Sequence, residues 1–177
     1  MDSAVAFAHV TSRGNAQQTI YCDDADYLSF LRMLGPLVVE RQWRCHAFCL
    51  MPNHYHLLLE TDPLDLPRGM QLLNGRYARR FNVRYGRAGH VFQGPYNAEP
   101  VTADSHLLEA SRYIALNPVR AGLCRDAAAW PWSSYRRTSG IDDSQSWIDV
   151  ELIRALAGGA AGFREFVAAG AERLQPA

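Results

Sequence analysis

The sequence predicts an α+β fold, with helices lying on an antiparallel sheet, and three observations carry that prediction. Segments that alternate as strands do ("FAHVTSRGN", "WRCHAFCLM" and "HYHLLLE") are separated by stretches whose apolar residues recur at helical spacing. Met51-Pro52-Asn53 is turn chemistry between the second and third of these strands, which reads as a hairpin. The resulting order is strand, helix, hairpin, helix, strand, helix, an arrangement that buries one helical stripe after another against a sheet.

Each element has its own signal. The first strand runs from Phe7 to Asn15 and ends on Gly14-Asn15. "DDADYLSFLRMLGPLVVERQ" opens with acids suited to a helix N-terminus and carries Tyr27, Phe30, Leu31 and Leu34 on one face, with Pro36 placed to interrupt or kink it. A second helix is expected over 67–85, with Met70, Leu73, Tyr77 and Phe81 as its apolar stripe. A short strand near 96–101 follows. "DSHLLEASRYIALNP" then reads as a helix with Asp104 as N-cap, stopped by Pro118. "AWPWSSYRR" is an aromatic, basic loop whose Trp130, Trp132 and Tyr135 suit packing, and weak helices follow Gly140.

The chain of 177 residues is long enough for one cored domain, taken as 1–138, with a C-terminal helical extension over 139–177. No apolar run approaches the roughly 18 to 20 residues that span a bilayer, so no membrane partner is expected. "MDSAVAFAHV" has no basic segment followed by a long apolar one, which points to a cytoplasmic protein. Cys22, Cys45, Cys49 and Cys124 form no C-x-x-C pair and read as reduced, buried thiols.

A formal net charge of zero conceals an uneven distribution. All 18 basic residues are arginine, and between Pro67 and Ala98 stand Arg68, Arg76, Arg79, Arg80, Arg84 and Arg87 without one acid. Arg76, Arg80 and Arg84 repeat every four residues on a helix face, which suits either a solvated surface or a phosphate backbone. Arg13, after the first strand, is a further candidate, and Tyr85, Phe92 and Tyr96 are candidates for stacking on bases.

His54 and His56 lie two apart in "LMPNHYHLLLE", and a strand period of two puts both rings on one face while Tyr55 points away. Such a pair can hold one divalent ion and leave positions open, although H-x-H alone also fits aromatic packing or surface placement. In "RYIALN", Tyr113 and Asn117 are four apart on a helix and face the same way. A phenol beside a metal is a nucleophile for phosphorus and an amide oxygen is a third ligand; a packed aromatic and a helix C-cap are the plainer alternatives.

With these residues in view, "HVTSRGN", "HAFCLMPNHYHLLLE", "MQLLNGRYARRFNVRYGRAGHVFQGPY", "RYIALNPVRAGL" and "WPWSSYR" together resemble the REP-associated tyrosine transposases. These belong with the single-tyrosine insertion-sequence transposases among the HUH endonucleases. The resemblance covers roughly residues 7 to 137. It implies a ferredoxin-like antiparallel sheet with helices packed on one face, a bound Mg2+ or Mn2+, and cleavage of single-stranded DNA. Carried over by position, His54, His56 and Asn117 are the metal ligands and Tyr113 the nucleophile, with a 5′-phosphotyrosine intermediate. Arg13, Arg76, Arg79, Arg80, Arg84 and Arg87 are the expected DNA contacts.

The implied partner is single-stranded DNA with hairpin or palindromic repeats, in a nucleoid-associated bacterial protein acting as monomer or homodimer. Two departures stand out. Pro95 and Asn97 occupy "GPYN", where many relatives carry arginine and lysine, and the chain before "HVTSRGN" is short, which leaves the support of the first strand open. Two other readings remain: a domesticated, non-cleaving nucleic-acid binder, and a zinc hydrolase using the two histidines. The second leaves Tyr113 and the arginine helix without a role.

Overall fold

Strands β1 (Ala6–Arg13), β2 (Arg44–Met51), β3 (His54–Thr61) and β4 (Asn97–Val101) form one antiparallel sheet in the order β2-β3-β1-β4. Helix α1 (Asp24–Glu40) connects β1 to β2, and α2 (Leu66–Tyr85) connects β3 to β4. This is the split βαβ arrangement of the ferredoxin-like fold. The computed structural model describes residues 5–173, so the outermost parts of the N-terminal stretch and of the 139–177 extension lie outside the described residues.

Alternation along the strands builds two cores. Val10, Phe48, Leu50, Tyr55, Leu57 and Leu59 meet Phe30 and Leu34 of α1 and Met70, Leu73, Tyr77 and Phe81 of α2. On the opposite face Ala47, Cys49, Met51 and Leu58 meet Leu107 and Ile114 of α3 (Asp104–Arg120). The expected single helical face therefore holds for α1 and α2, while α3 covers the other side. The central strands are apolar on both faces, so both need a cover.

β1 is a central strand, paired with β3 from Ala6 to Arg13 and with β4 from Phe7 to Thr11, so it does not lack support. Its exit is pinned where the backbone N–H of Gly14 donates to Asn53 O at 2.8 Å. A Cβ at Gly14 would lie 2.1 Å from Gln18 O, so only glycine lets the chain fold back beside the hairpin turn that precedes His54.

Several sequence expectations change. Pro36 lies within an unbroken α1 whose start is closed by the Asp23 carboxylate accepting from Asp26 N. Asp104 is the first helical residue, with Ala103 in the cap position, so its charge favours the helix dipole rather than capping it. Pro118 does not stop α3. The helix continues to Arg120, and Ala121 N→Asn117 O and Leu123 N→Pro118 O close its end. Cys45 and Cys49 are buried as expected, but Cys22 is exposed.

The aromatic loop is packing material. Trp132 stacks on Tyr27 with centroids 4.6 Å apart, and Trp130 donates its indole N–H to Leu50 O at 3.0 Å. The short helix α4 (Tyr135–Thr138) leads to α5 (Glu151–Ala157) and α6 (Gly159–Glu172). Ile153, Phe163 and Val167 of these helices join the α3 core, and Ile148 joins the other.

Candidate active site

The hairpin turn starts β3 so that His54 and His56 emerge on the α3 face, opposite the buried Tyr55. Antiparallel pairing then sets Arg13 beside His54 and Thr11 beside His56. Above them runs α3, which presents Tyr113 and, one turn on, Asn117. These elements enclose a cleft of about 580 Å³ lined by His9, Arg13, His54, His56, Tyr113 and Arg120, among others.

The two histidines are held differently. His54 Nδ1 lies 2.7 Å from the Asn53 side-chain oxygen, which fixes its ring. His56 Nδ1 lies 2.9 Å from His9 Nε2, while His56 Nε2 is buried with no hydrogen-bond partner among the described residues. The ring of His56 stands 5.7 Å from that of Tyr113 and 5.0 Å from that of His54, both edge-on.

Electrostatics keep the imidazoles neutral. Burial lowers the pKa of His56 to about 3, with the neighbouring His54, His9 and Arg13 adding to the effect, against an opposing pull from the Asn117 amide. His54 is lowered by burial and by the Arg13 guanidinium, and again Asn117 pulls upward. The Asn117 carboxamide thus lies close to both rings. Its NH2 group donates to Tyr113 O at 3.4 Å, which leaves its oxygen free of that bond.

Neutral imidazoles, one orphaned ring nitrogen and an adjacent amide oxygen make a donor set suited to a divalent ion. No three His, Cys, Asp or Glu side chains converge as a ligand set among the described residues. Tyr113 is 39% exposed, so its hydroxyl is reachable from the cleft. The guanidinium of Arg120 lies over its ring, 4.9 Å from the centroid.

Residues 7–117 match the family described as "Transposase IS200 like". The chain belongs to the IS200-like transposase family. Among solved structures it is similar to a REP-associated tyrosine transposase bound to a REP hairpin, at 17% identity and a TM-score of 0.59, with 79% of this chain and 81% of that one covered. It is also similar to a candidate transposase from Deinococcus radiodurans R1, at 21% identity and a TM-score of 0.45, with 58% and 83% covered. At 17% identity the likeness to the first of these is one of fold. Among curated proteins, none matches the chain.

For a family member, the division of the predicted residues between the two faces is informative. His54, His56, Tyr113 and Arg13 line one cleft with Asn117 beside the two histidines, whereas Arg76, Arg79, Arg80, Arg84 and Arg87 belong to α2 and its C-terminal end, on the far side of the sheet. Arg84 binds both Asp23 and Asp26, and Arg80 lies 3.5 Å from Asp26. Arg87 donates to the Gln18 side chain. Arg76 and Arg79 are exposed and make no ion pair among the described residues. Phe92 is buried, and the Tyr85 hydroxyl donates to Asp26 at 2.8 Å while the Arg84 guanidinium lies over its ring, 5.1 Å from the centroid.

His9, Arg120, His106 and Glu99 line the cleft and were not singled out from the sequence. His9 and Arg13 share the strand period of β1, which was a usable signal. The register that sets them against β3 was not.

Proposed function

We propose that this protein is a metal-dependent single-stranded DNA nicking and strand-transfer enzyme with Tyr113 as nucleophile. The observation that carries the reading is a cleft lined by His54, His56 and an accessible Tyr113, with the buried Asn117 amide beside both imidazoles. Family membership supports a transposase chemistry for that cleft.

His54, His56 and Asn117 would hold Mg2+ or Mn2+, which when bound withdraws charge from a phosphate oxygen and so favours attack at phosphorus. The chain's own residues do the rest. Tyr113 Oη forms a bond to phosphorus as the P–O3′ bond breaks. Its phenolic proton passes to water, and the departing 3′ oxygen takes up a proton to become a free 3′-OH. The product is a 5′-phosphotyrosine, which retains the phosphodiester energy. A second 3′-OH reverses the step and joins new ends. Arg13 and Arg120 supply positive charge at the cleft for the phosphates flanking the break.

DNA contacts extend beyond the cleft in this reading. Arg76 and Arg79 offer unpaired guanidinium groups on the far face, while Arg80, Arg84 and Arg87 are engaged with Asp26, Asp23 and Gln18 in the DNA-free chain. A strand touching both faces must fold around the protein, which suits hairpin-containing repeats such as the one the REP-associated relative binds.

The test is incubation with labelled hairpin single strands and Mg2+ or Mn2+, followed by denaturing electrophoresis. A denaturation-resistant adduct with wild type, lost in Tyr113→Phe, is expected. Tight binding with no adduct from wild type would instead support a non-cleaving repeat binder.

A further inference from the structure

The hydrogen bond between His9 and His56 bears on which nitrogen of His56 is free. The two rings meet through His9 Nε2 and His56 Nδ1 at 2.9 Å, with centroids 5.1 Å apart and planes 27° from parallel. A neutral imidazole carries one proton, so this bond has only two forms. Either His9 donates and His56 is protonated at Nε2, or His56 donates from Nδ1 and its Nε2 keeps a free lone pair. In the first form the buried Nε2–H would have no acceptor in hydrogen-bond geometry among the described residues, with only the nearby Asn117 carboxamide to offset it. The second form buries only a lone pair.

We propose that His9 is a positioning residue that accepts the Nδ1–H of His56 and thereby holds the His56 Nε2 lone pair toward His54 and Asn117. His9 then carries its own proton on Nδ1. Glu99, its register partner on β4, and His106 line the same cleft. His9 touches His56 through the nitrogen remote from the orphaned one, and the three histidines do not converge as a ligand set among the described residues, so His9 acts through His56. Outer partners of this kind commonly tune ligand affinity by about 10- to 100-fold.

This inference rests on the metal reading above, but its first test needs no metal. Long-range 1H–15N spectra of uniformly 15N-labelled, metal-free protein report the His56 tautomer directly. Wild type should carry the proton on Nδ1, and His9→Phe should move it wholly or partly to Nε2. Mn2+ titration followed by electron paramagnetic resonance should show about 10- to 100-fold weaker binding in His9→Phe and near-wild-type binding in His9→Gln, whose carboxamide oxygen also accepts. An Nε2–H tautomer in wild type overturns the proposal, as does unchanged tautomer and affinity in His9→Phe. If His9→Phe does not fold, the wild-type tautomer and the affinity of His9→Gln decide. Absence of Mn2+ binding by wild type counts against the metal reading alone, because the tautomer still decides the hydrogen bond.

Discussion

Arg120 covers the ring of Tyr113, with its guanidinium carbon 4.9 Å from the ring centroid. They stand two turns apart on α3, so the contact is made within one rigid element. At an exposed site such a contact is worth about 0.5–1 kcal/mol. It steadies the proposed nucleophile and places a positive charge beside it. Arg120→Ala should therefore slow adduct formation by roughly 3- to 10-fold while lowering the thermal midpoint by no more than about 4 °C. Single-turnover cleavage together with a melting curve checks both halves.

A different arginine should act on stability alone. Arg84 neutralises Asp26, whose side chain is fully buried, as well as the exposed Asp23. Arg84→Ala should destabilise the fold, because a buried carboxylate loses its closer charged partner although Arg80, Tyr85 and the Cys22 N–H remain beside it. Chemical denaturation measures the loss. The single-turnover rate of bound DNA should not change, since α2 lies across the sheet from Tyr113.

The same ion pair has a pH signature. The hydrogen bond from Arg84 holds the Asp23 carboxyl below its ordinary value of 3.8. A depressed acid contributes stability above its unfolded pKa and loses it as pH falls through the folded one. Wild type should thus lose stability from just below pH 4 downward more steeply than Arg84→Ala, as acid titrations followed by circular dichroism would reveal.

Arg76 and Arg79 test the far face as a DNA contact. If both meet phosphates of a single strand, the double alanine variant should reduce the slope of log affinity against log salt by about 1.4. Binding isotherms over a salt series read this directly. An unchanged slope would assign these two arginines to solvent.

Much of this was legible in the sequence. Strand alternation put His54 and His56 on one face with Tyr55 opposite, and helical spacing joined Tyr113 to Asn117, because both periods are local properties of the backbone. What local pattern does not encode is register. The pairing of His9 with His56 depends on how β1 slides against β3, and the cover of Tyr113 by Arg120 depends on α3 running past Pro118. The partners of the arginine helix were hidden for a related reason. Its repeat is visible in one dimension, but Asp23 and Asp26, which engage Arg80 and Arg84, lie more than fifty residues away in sequence.

The central claim is that Tyr113 forms the covalent bond, and peptide mapping of the protein–DNA adduct by mass spectrometry tests it most directly. After nuclease and protease digestion, the mass of a residual nucleotide should sit on the peptide containing Tyr113. The modification should be absent when EDTA is present and return with added Mn2+. A nucleotide found on Tyr77, Tyr85 or Tyr96, or an adduct that persists in Tyr113→Phe, would contradict the account.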